Sequence, residues 1–459
     1  MGAEQVASIA YRRKPNPEPE ESRPPEFSDD ALALDFAARH HSDLRYVAAF
    51  GKWLVYDGAR WADDGTLKAY DLVRARCRET AAACDQPKNG SAIASAKTIA
   101  AVERLARSDR RLAATVEQWD SDPWLLNTPD GVVDLGTGEL GRHIPEEYHT
   151  RMTAVSPGGD CPLFMEFLDR ITDRDTELQA FMARMFGYAL TGSTNEHALF
   201  YCHGVGANGK SVLLNTISAI LGDYAQSAPI ETFTESAFER HPTELAGLRG
   251  ARLVTAIETE QGRRWAEARI KALTGGDKIS ARFMRQDFFE FTPSFKLIVA
   301  GNHKPGLRSV DEAIRRRFHL IPFAITIPAG ERDPDLGEKL KDEWPGILQW
   351  LIDGCVEWQK NGLGAPKVVT DATNAYLESE DALAAWLCER CLRDPQAWER
   401  SSELFTDWKT WAERSGEPAG TLRAFSQNLE SRGLVWERRR TGRGFQGLQL
   451  TPQMTGDYR

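Results

Sequence analysis

The chain has 459 residues, a formal net charge of −10, 41% hydrophobic and 27% charged residues. That length accommodates two or three domains with their own cores, and the acidic balance excludes a uniformly basic nucleic-acid coat while leaving room for local basic elements. No apolar run approaches the ~18 residues of a membrane span, the N-terminus has no apolar signal core, and Val6 stands where a myristoylation motif needs Ser or Thr, so a cytoplasmic protein without a membrane partner is expected.

Residues 1–26, rich in Pro and Glu, read as a disordered tail. A mixed N-terminal domain is expected over 27–155. In it "LRYVAAFGKWLVYDGARWADDG" reads as two short strands around an Asp-Gly turn, residues 67–118 carry helical periodicity, and "WLLNTPDGVVDLGTGEL" returns to short strands. The "DSD" at 120–122 has no other metal-ligand cluster near it, so no metal site is expected in this domain. The seven cysteines are scattered and odd in number, which suits reduced thiols, and the one C-x-x-C (Cys388, Cys391) lies in a helical pattern without a second pair to complete a zinc site.

From 156 to 330 the pattern changes. After helices over 162–192 come the apolar strands "HALFYCHG", "ARLVTAIE", "FKLIVAGN" and "RFHLIPF", separated by helical stretches. That alternation implies an α/β core with a mostly parallel sheet. Between the first strand and the helix "KSVLLNTISAIL" stand Gly204, Val205, Gly206, Ala207, Asn208, Gly209, Lys210 and Ser211, a full G-x-x-x-x-G-K-[ST] phosphate loop in the right context. Glycines let backbone N–H groups turn toward phosphates, Lys210 would reach the β- and γ-phosphates, and Ser211 would ligate Mg²⁺. ATP and Mg²⁺ are therefore the expected ligands.

Glu258 and Glu260 follow the second strand, which must lie beside the loop-bearing strand, and either could place the metal and polarise water. Asn302, ending another core strand, could orient that water. Strand-like residues 278–283 and 287–292 flank Met284, Arg285 and Gln286 as a hairpin with a basic tip, Arg282 at its base. Arg315, Arg316 and Arg317 cannot all serve one bound nucleotide. One of them reaching a neighbouring subunit's γ-phosphate would explain the cluster, and positive charge at a helix C-terminus is the plainer account.

A helical lid or linker is expected over 331–380 and a separate small domain over 381–459. There "SELFTDWKTWAER", "TLRAFSQNLESRG" and a basic hairpin turning at 441–444 form a winged-helix pattern. Arg423 and Gln427 on the second helix, with Arg438, Arg439, Arg440 and Arg443 on the wing, are candidate DNA contacts; residues 432–443 hold five arginines against one glutamate.

The strings "LNTPDGVVDL", "FGYALTG", "GVGANGKS", "ETE", "KALTGGDKISAR", "FKLIVAGNHKP" and "DEAIRRRFHLIPF" together resemble the superfamily 3 helicase module of phage and plasmid primase–helicases, related to poxvirus-type primase–helicases. The resemblance spans roughly 30–375 and implies an AAA+ core assembled into a hexameric ring around DNA. It implies Glu258 and Glu260 as the acidic strand-end motif, here split by Thr259, Asn302 as the polar sensor, and Arg316 or Arg317 as the arginine finger. The function expected is an ATP-dependent DNA helicase of phage or plasmid replication, working with a separate primase or polymerase. An ATP-gated DNA-binding switch, loader or defence scaffold is the alternative.

Overall fold

A computed structural model describes residues 24–235, 243–257, 262–283, 287–308 and 310–451. The chain divides into two compact units, the first ending at Ser121 and taking in Ile144–Thr150, the second formed by Asp122–His143 and everything from Arg151 onward. Among the described residues no helix is long and apolar enough to cross a membrane.

In the first unit, helix α1 (Asp29–His40) starts where the Ser28 hydroxyl accepts from the Ala31 N–H at 3.2 Å. Strands β1 (Leu44–Val47), β2 (Lys52–Tyr56) and β3 (Trp61–Asp63) follow, then α2 (Lys68–Ala82), α3 (Pro87–Ile93), α4 (Ala96–Ala106) and the short β4 (Ala113–Ala114). The expected two strands are three, because the Asp57-Gly58 turn separates β2 from β3 and a second turn at 48–51 separates β1 from β2. The sheet order is β3-β2-β1-β4, with only the β1–β4 pair parallel. Phe36, Val73, Cys77 and Val102 from the helices pack on Leu44 as its core.

The second unit opens with the hairpins β5 (Leu125–Thr128), β6 (Gly131–Asp134) and β7 (Glu139–Gly141), then α5 (Pro162–Ile171) and α6 (Thr176–Leu190). Its centre holds β8 (Leu199–His203), α7 (Lys210–Leu221), β9 (Ala225–Ser227), α8 (Thr243–Ala246), β10 (Leu253–Ile257) and α9 (Glu267–Gly275). The hairpin β11 (Ile279–Ala281) with β12 (Phe289–Phe291) follows, then β13 (Lys296–Gly301), α10 (Glu312–Arg315) and β14 (Phe318–Pro322). The fold is mixed α/β, with a five-stranded all-parallel sheet ordered β14-β8-β13-β10-β9.

Both faces of that sheet are covered, which is why its strands read as continuous apolar runs. Phe200, Cys202, Ile298 and Ala300 face the core shared with α5, α6, α7 and α12 (Trp344–Asn361). Leu199, Tyr201, Leu297 and Val299 face the opposite core with Trp265, α9 and α13 (Lys367–Ser379). The small helix α11 (Leu336–Lys339) precedes α12.

The C-terminal segment comprises α14 (Ala382–Arg390), β15 (Cys391–Arg400), α15 (Ser401–Ser415), α16 (Leu422–Ser431), β16 (Val435–Arg439) and β17 (Gly442–Leu450). Its sheet is ordered β15-β17-β16. Cys388 is exposed on α14 while Cys391 opens β15 and is buried, so the C-x-x-C straddles a helix end instead of lying within one helix. The β16–β17 hairpin turns at Arg440-Thr441, earlier than expected, and this moves Arg443 into the ladder directly opposite Arg438.

Candidate nucleotide site

Strand β13 lies between β8 and β10, so the strand leading to Glu258 is one removed from the loop-bearing strand, not beside it. Parallel pairing aligns the carboxyl ends, with Ala300 opposite Cys202 and Gly301 opposite His203. Asn302 therefore leaves the sheet immediately beside the loop that leaves β8. Open α/β sheets bind ligands at such carboxyl ends.

The loop's shape follows from its glycines. A Cβ on Gly204 would lie 2.2 Å from the Phe323 carbonyl oxygen and 2.5 Å from Asn208 Nδ2. Gly209 takes a left-handed φ of 82° as the N-cap of α7, pressed against Phe167 and Ile171. On the open side, a Cβ on Gly206 would meet nothing within 4 Å. Asn208, only 3% exposed, donates to the Val205 carbonyl at 2.7 Å and more weakly to the Phe323 carbonyl at 3.4 Å, pinning the loop to the end of β14.

Lys210 is buried, and its Nζ donates to the Gly204 carbonyl at 2.7 Å, Asn208 Oδ1 at 3.0 Å and Asn302 Oδ1 at 3.4 Å. Burial lowers its pKa, while the nearby Cys202 opposes the shift. Burial in turn pushes the Cys202 thiol up to about 12. A desolvated ammonium held only by neutral oxygens gains most from an incoming anion.

Gly206 to Val212, Ile257 and Ala300 to Asn302 line a cavity of about 480 Å³. A second cavity of about 370 Å³ shares Ala207, Gly209 and Val212, and is lined by Leu163, Phe167, Ile327 and Leu336 together with the charged Glu166, Arg170, Glu331, Arg332 and Asp333. The Ile327 N–H donates to the Ala207 carbonyl at 2.8 Å, which ties this wall to the loop. Sequence reasoning missed that apolar wall, because its residues come from α5, the segment after β14 and α11, with no local motif to link them. The glycine-lined cavity beside one that sets an apolar wall among charged side chains fits a nucleoside triphosphate, phosphates toward the first and base toward the second. Ser211, in the first turn of α7, lines the phosphate side and fits a Mg²⁺ ligand there.

Glu258 and Glu260 lie outside the described residues, as do Arg285 and Gln286. The strands flanking that tip do pair as an antiparallel hairpin, Ala281 opposite Phe289. Arg282 lies with its guanidinium 4.7 Å from the Phe288 ring centroid. The three arginines after α10 divide sharply. Arg315 pairs with Asp381 at 3.4 Å. Arg317 is buried, donating to Thr274 Oγ1 at 3.3 Å and the Ala313 carbonyl at 2.9 Å, whereas Arg316 is exposed. On the C-terminal segment Arg423, Gln427, Arg438, Arg439, Arg440 and Arg443 are all exposed, with Arg439 also pairing Glu437 at 2.8 Å. The structure does not bring them to the loop.

Residues 33–173 match the D5 N-terminal-like domain, and residues 202–317 match a family of unknown function, DUF5906. Among curated relatives, a protein named as a candidate helicase, L207/L206 of Acanthamoeba polyphaga mimivirus, is 27% identical over 60% of this chain and 31% of its own length. The candidate helicase 022R of Frog virus 3 is 26% identical over 68% of this chain and 33% of its own. The candidate primase C962R of African swine fever virus is 23% identical over 66% and 34%. The chain thus spans about a third of the length of the curated relatives it matches. Its fold is similar to the apo structure of the NrS-1 C-terminal region, with a TM-score of 0.51 at 11% identity, covering 92% of this chain and 99% of that one. The chain thus carries a match to the D5 N-terminal-like domain and is similar to proteins named as candidate helicases and primases of large DNA viruses.

Proposed function

We propose that the chain is the motor of a DNA helicase of superfamily 3, an AAA+ ATPase that hydrolyses ATP to move along DNA. The observation that carries this reading is the convergence of Lys210, Asn208 and Asn302 on one glycine-walled cavity at the carboxyl edge of a parallel sheet. In this reading the loop N–H groups and Lys210 hold the β- and γ-phosphates, and Ser211 with Glu258 holds Mg²⁺, which would neutralise charge on them. Glu258 or Glu260 polarises the attacking water, and Asn302 orients it. The Phe167, Val212 and Ile327 wall takes the base.

Arg316 is the arginine free to act on a neighbour's nucleotide, since Arg317 is engaged within its own chain. A homo-hexameric ring follows as the working form. The β11–β12 hairpin carries the DNA contact, with Arg282, Arg285 and Gln286 gripping one strand by its phosphates. We read the C-terminal segment as a winged helix that holds duplex or fork. Arg438 and Arg443 stand directly opposite each other, an arrangement of like charges that a phosphate would relieve. The primase name among relatives about twice as long makes priming a property to assay directly.

The test is ATP hydrolysis by the purified chain with Mg²⁺. Lys210→Ala should lose nucleotide binding or turnover while keeping its fold, and Glu258→Gln should bind but not turn over. Wild-type hydrolysis by Lys210→Ala would move the site elsewhere.

A further inference from the structure

The first unit contains a feature that the ATP site and the hairpin do not use. A cavity of about 680 Å³ opens between the β-sheet and α4, with Tyr46, Trp53 and Tyr70 in its walls and Leu67 at its mouth. Tyr46 and Trp53 meet at 5.1 Å with a tilt of 59°. Behind them Glu103, 6% exposed, accepts from the Trp53 indole N–H at 2.6 Å and holds Arg107 through two contacts of 2.8 Å. The Arg107 guanidinium lies 5.1 Å from the Tyr46 ring centroid. One buried carboxylate thus locks an indole and a guanidinium against a phenol ring before any ligand arrives.

The charges around this wall leave a basic edge. Asp63 is paired with Lys52 at 2.6 Å, and Asp64 accepts from the Lys68 and Ala69 N–H groups at the start of α2. In "ERLARSDRR" (103–111), Glu103 is matched by Arg107 and Asp109 by Arg111 at 2.7 Å. Arg104 and Arg110 are exposed and have no acidic partner among the described residues. Arg104 lines the cavity, as do Asp63 and Asp64, and Arg110 follows the end of α4, so the unmatched positive charge is confined to this one edge.

We propose that this cavity and its arginine edge bind single-stranded DNA, with one base seated against Tyr46, Trp53 and Tyr70 and flanking phosphates held by Arg104 and Arg110. Stacking accepts any base, and phosphate contacts ignore sequence, so the site is sequence-tolerant. A lone nucleotide needs only the cavity; cations spread along the end of α4 and the turn after it match a strand that continues past the seated base. Duplex DNA keeps its bases stacked inside and cannot fill the aromatic wall.

The proposal does not depend on the ATP reading, so its test uses no nucleotide and is repeated on the Lys210→Ala chain. Oligothymidylate carrying 5-iododeoxyuridine is irradiated with the full chain, and the adducts are mapped by peptide mass spectrometry. Adducts at Tyr46, Trp53 or Tyr70 are expected in both chains, and Tyr70→Leu should reduce their yield. The Arg104→Ala/Arg110→Ala chain, altered only at exposed positions, should bind oligothymidylate about tenfold more weakly at low salt. Its slope of log K against log salt should fall by about 1.4, at about 0.7 per lost phosphate contact. Adducts confined to peptides outside residues 46–110, or an unchanged affinity and slope in the double variant, would overturn the proposal.

Discussion

Truncating Asn208 to alanine separates the loop from both of its anchors. The side chain is 3% exposed and makes three contacts, to the Val205 carbonyl, the Phe323 carbonyl and the Lys210 ammonium. A neutral hydrogen bond contributes about 1 kcal/mol net and one to a charged group about 1.5–3. With the 3.4 Å contact counted as weak, the loss is about 2–4 kcal/mol, which lowers Tm by roughly 3–6 °C for a unit of this size. Lys210 keeps its contacts to Gly204 and Asn302 but loses the group that aims it, so ATP affinity should fall about tenfold, or about 1.4 kcal/mol. Asn208→Asp is the sharper arm. Its carboxylate would stand roughly 5 Å from a bound phosphate, and at an effective dielectric of about 20 that repulsion is about 3 kcal/mol, a loss of about a hundredfold. Titration with a fluorescent ATP analogue, alongside thermal melts, measures both. Wild-type affinity in Asn208→Ala, or tighter binding by Asn208→Asp than by Asn208→Ala, would refute the phosphate-cradle reasoning.

Mixing Lys210→Ala chains with Arg316→Ala chains should restore part of the ATPase activity that neither shows alone, whereas Arg317→Ala should chiefly lower Tm, since its guanidinium is buried in its own chain; failure of the first mixture to recover activity would remove Arg316 as the finger. His319, stacked on Phe200 at 5.4 Å, has its pKa lowered from 6.5 to about 4 by burial. The folded chain binds this proton more weakly than the unfolded one, so the contribution is intact above about pH 6.5 and lost as pH falls toward about 4. His319→Phe should flatten that part of the stability–pH curve measured by urea melts, and an unchanged curve would contradict the assignment. Deleting 381–459 should weaken duplex binding while sparing ATPase and assembly, read by a salt titration of binding; equal duplex affinity at every salt concentration would make this segment a protein-docking module.

The elements around the phosphate loop were legible because their signals are local. The apolar run before Gly204 and the amphipathic run after Lys210 lie within a few residues of each other, and β8 and α7 occupy those stretches. Strand order was not legible. Placing β13 between β8 and β10 is decided by pairings far apart in sequence, and no window of residues encodes it. Strand β15 escaped notice for a different reason. "CLRDPQAWER" is polar and contains a proline, and its register shifts between Arg393 and Trp398, so the period-two alternation that marks a strand is broken. The adjacent arginines could not be ranked from sequence, since only packing buries Arg317 and exposes Arg316. Glu103 was silent for the same reason: its partner Trp53 stands 50 residues away.

The central claim, that this chain turns ATP hydrolysis into strand separation, is tested most directly by unwinding of a forked DNA with ATP and Mg²⁺ present. The account predicts displacement of the labelled strand by the wild-type chain, none without ATP, none by Lys210→Ala, and none by Arg285→Ala even though that variant keeps much of its DNA-free ATPase. ATP hydrolysis by the wild-type chain with no strand displaced from any fork would contradict it, and would leave an ATP-gated DNA-binding switch in the helicase's place.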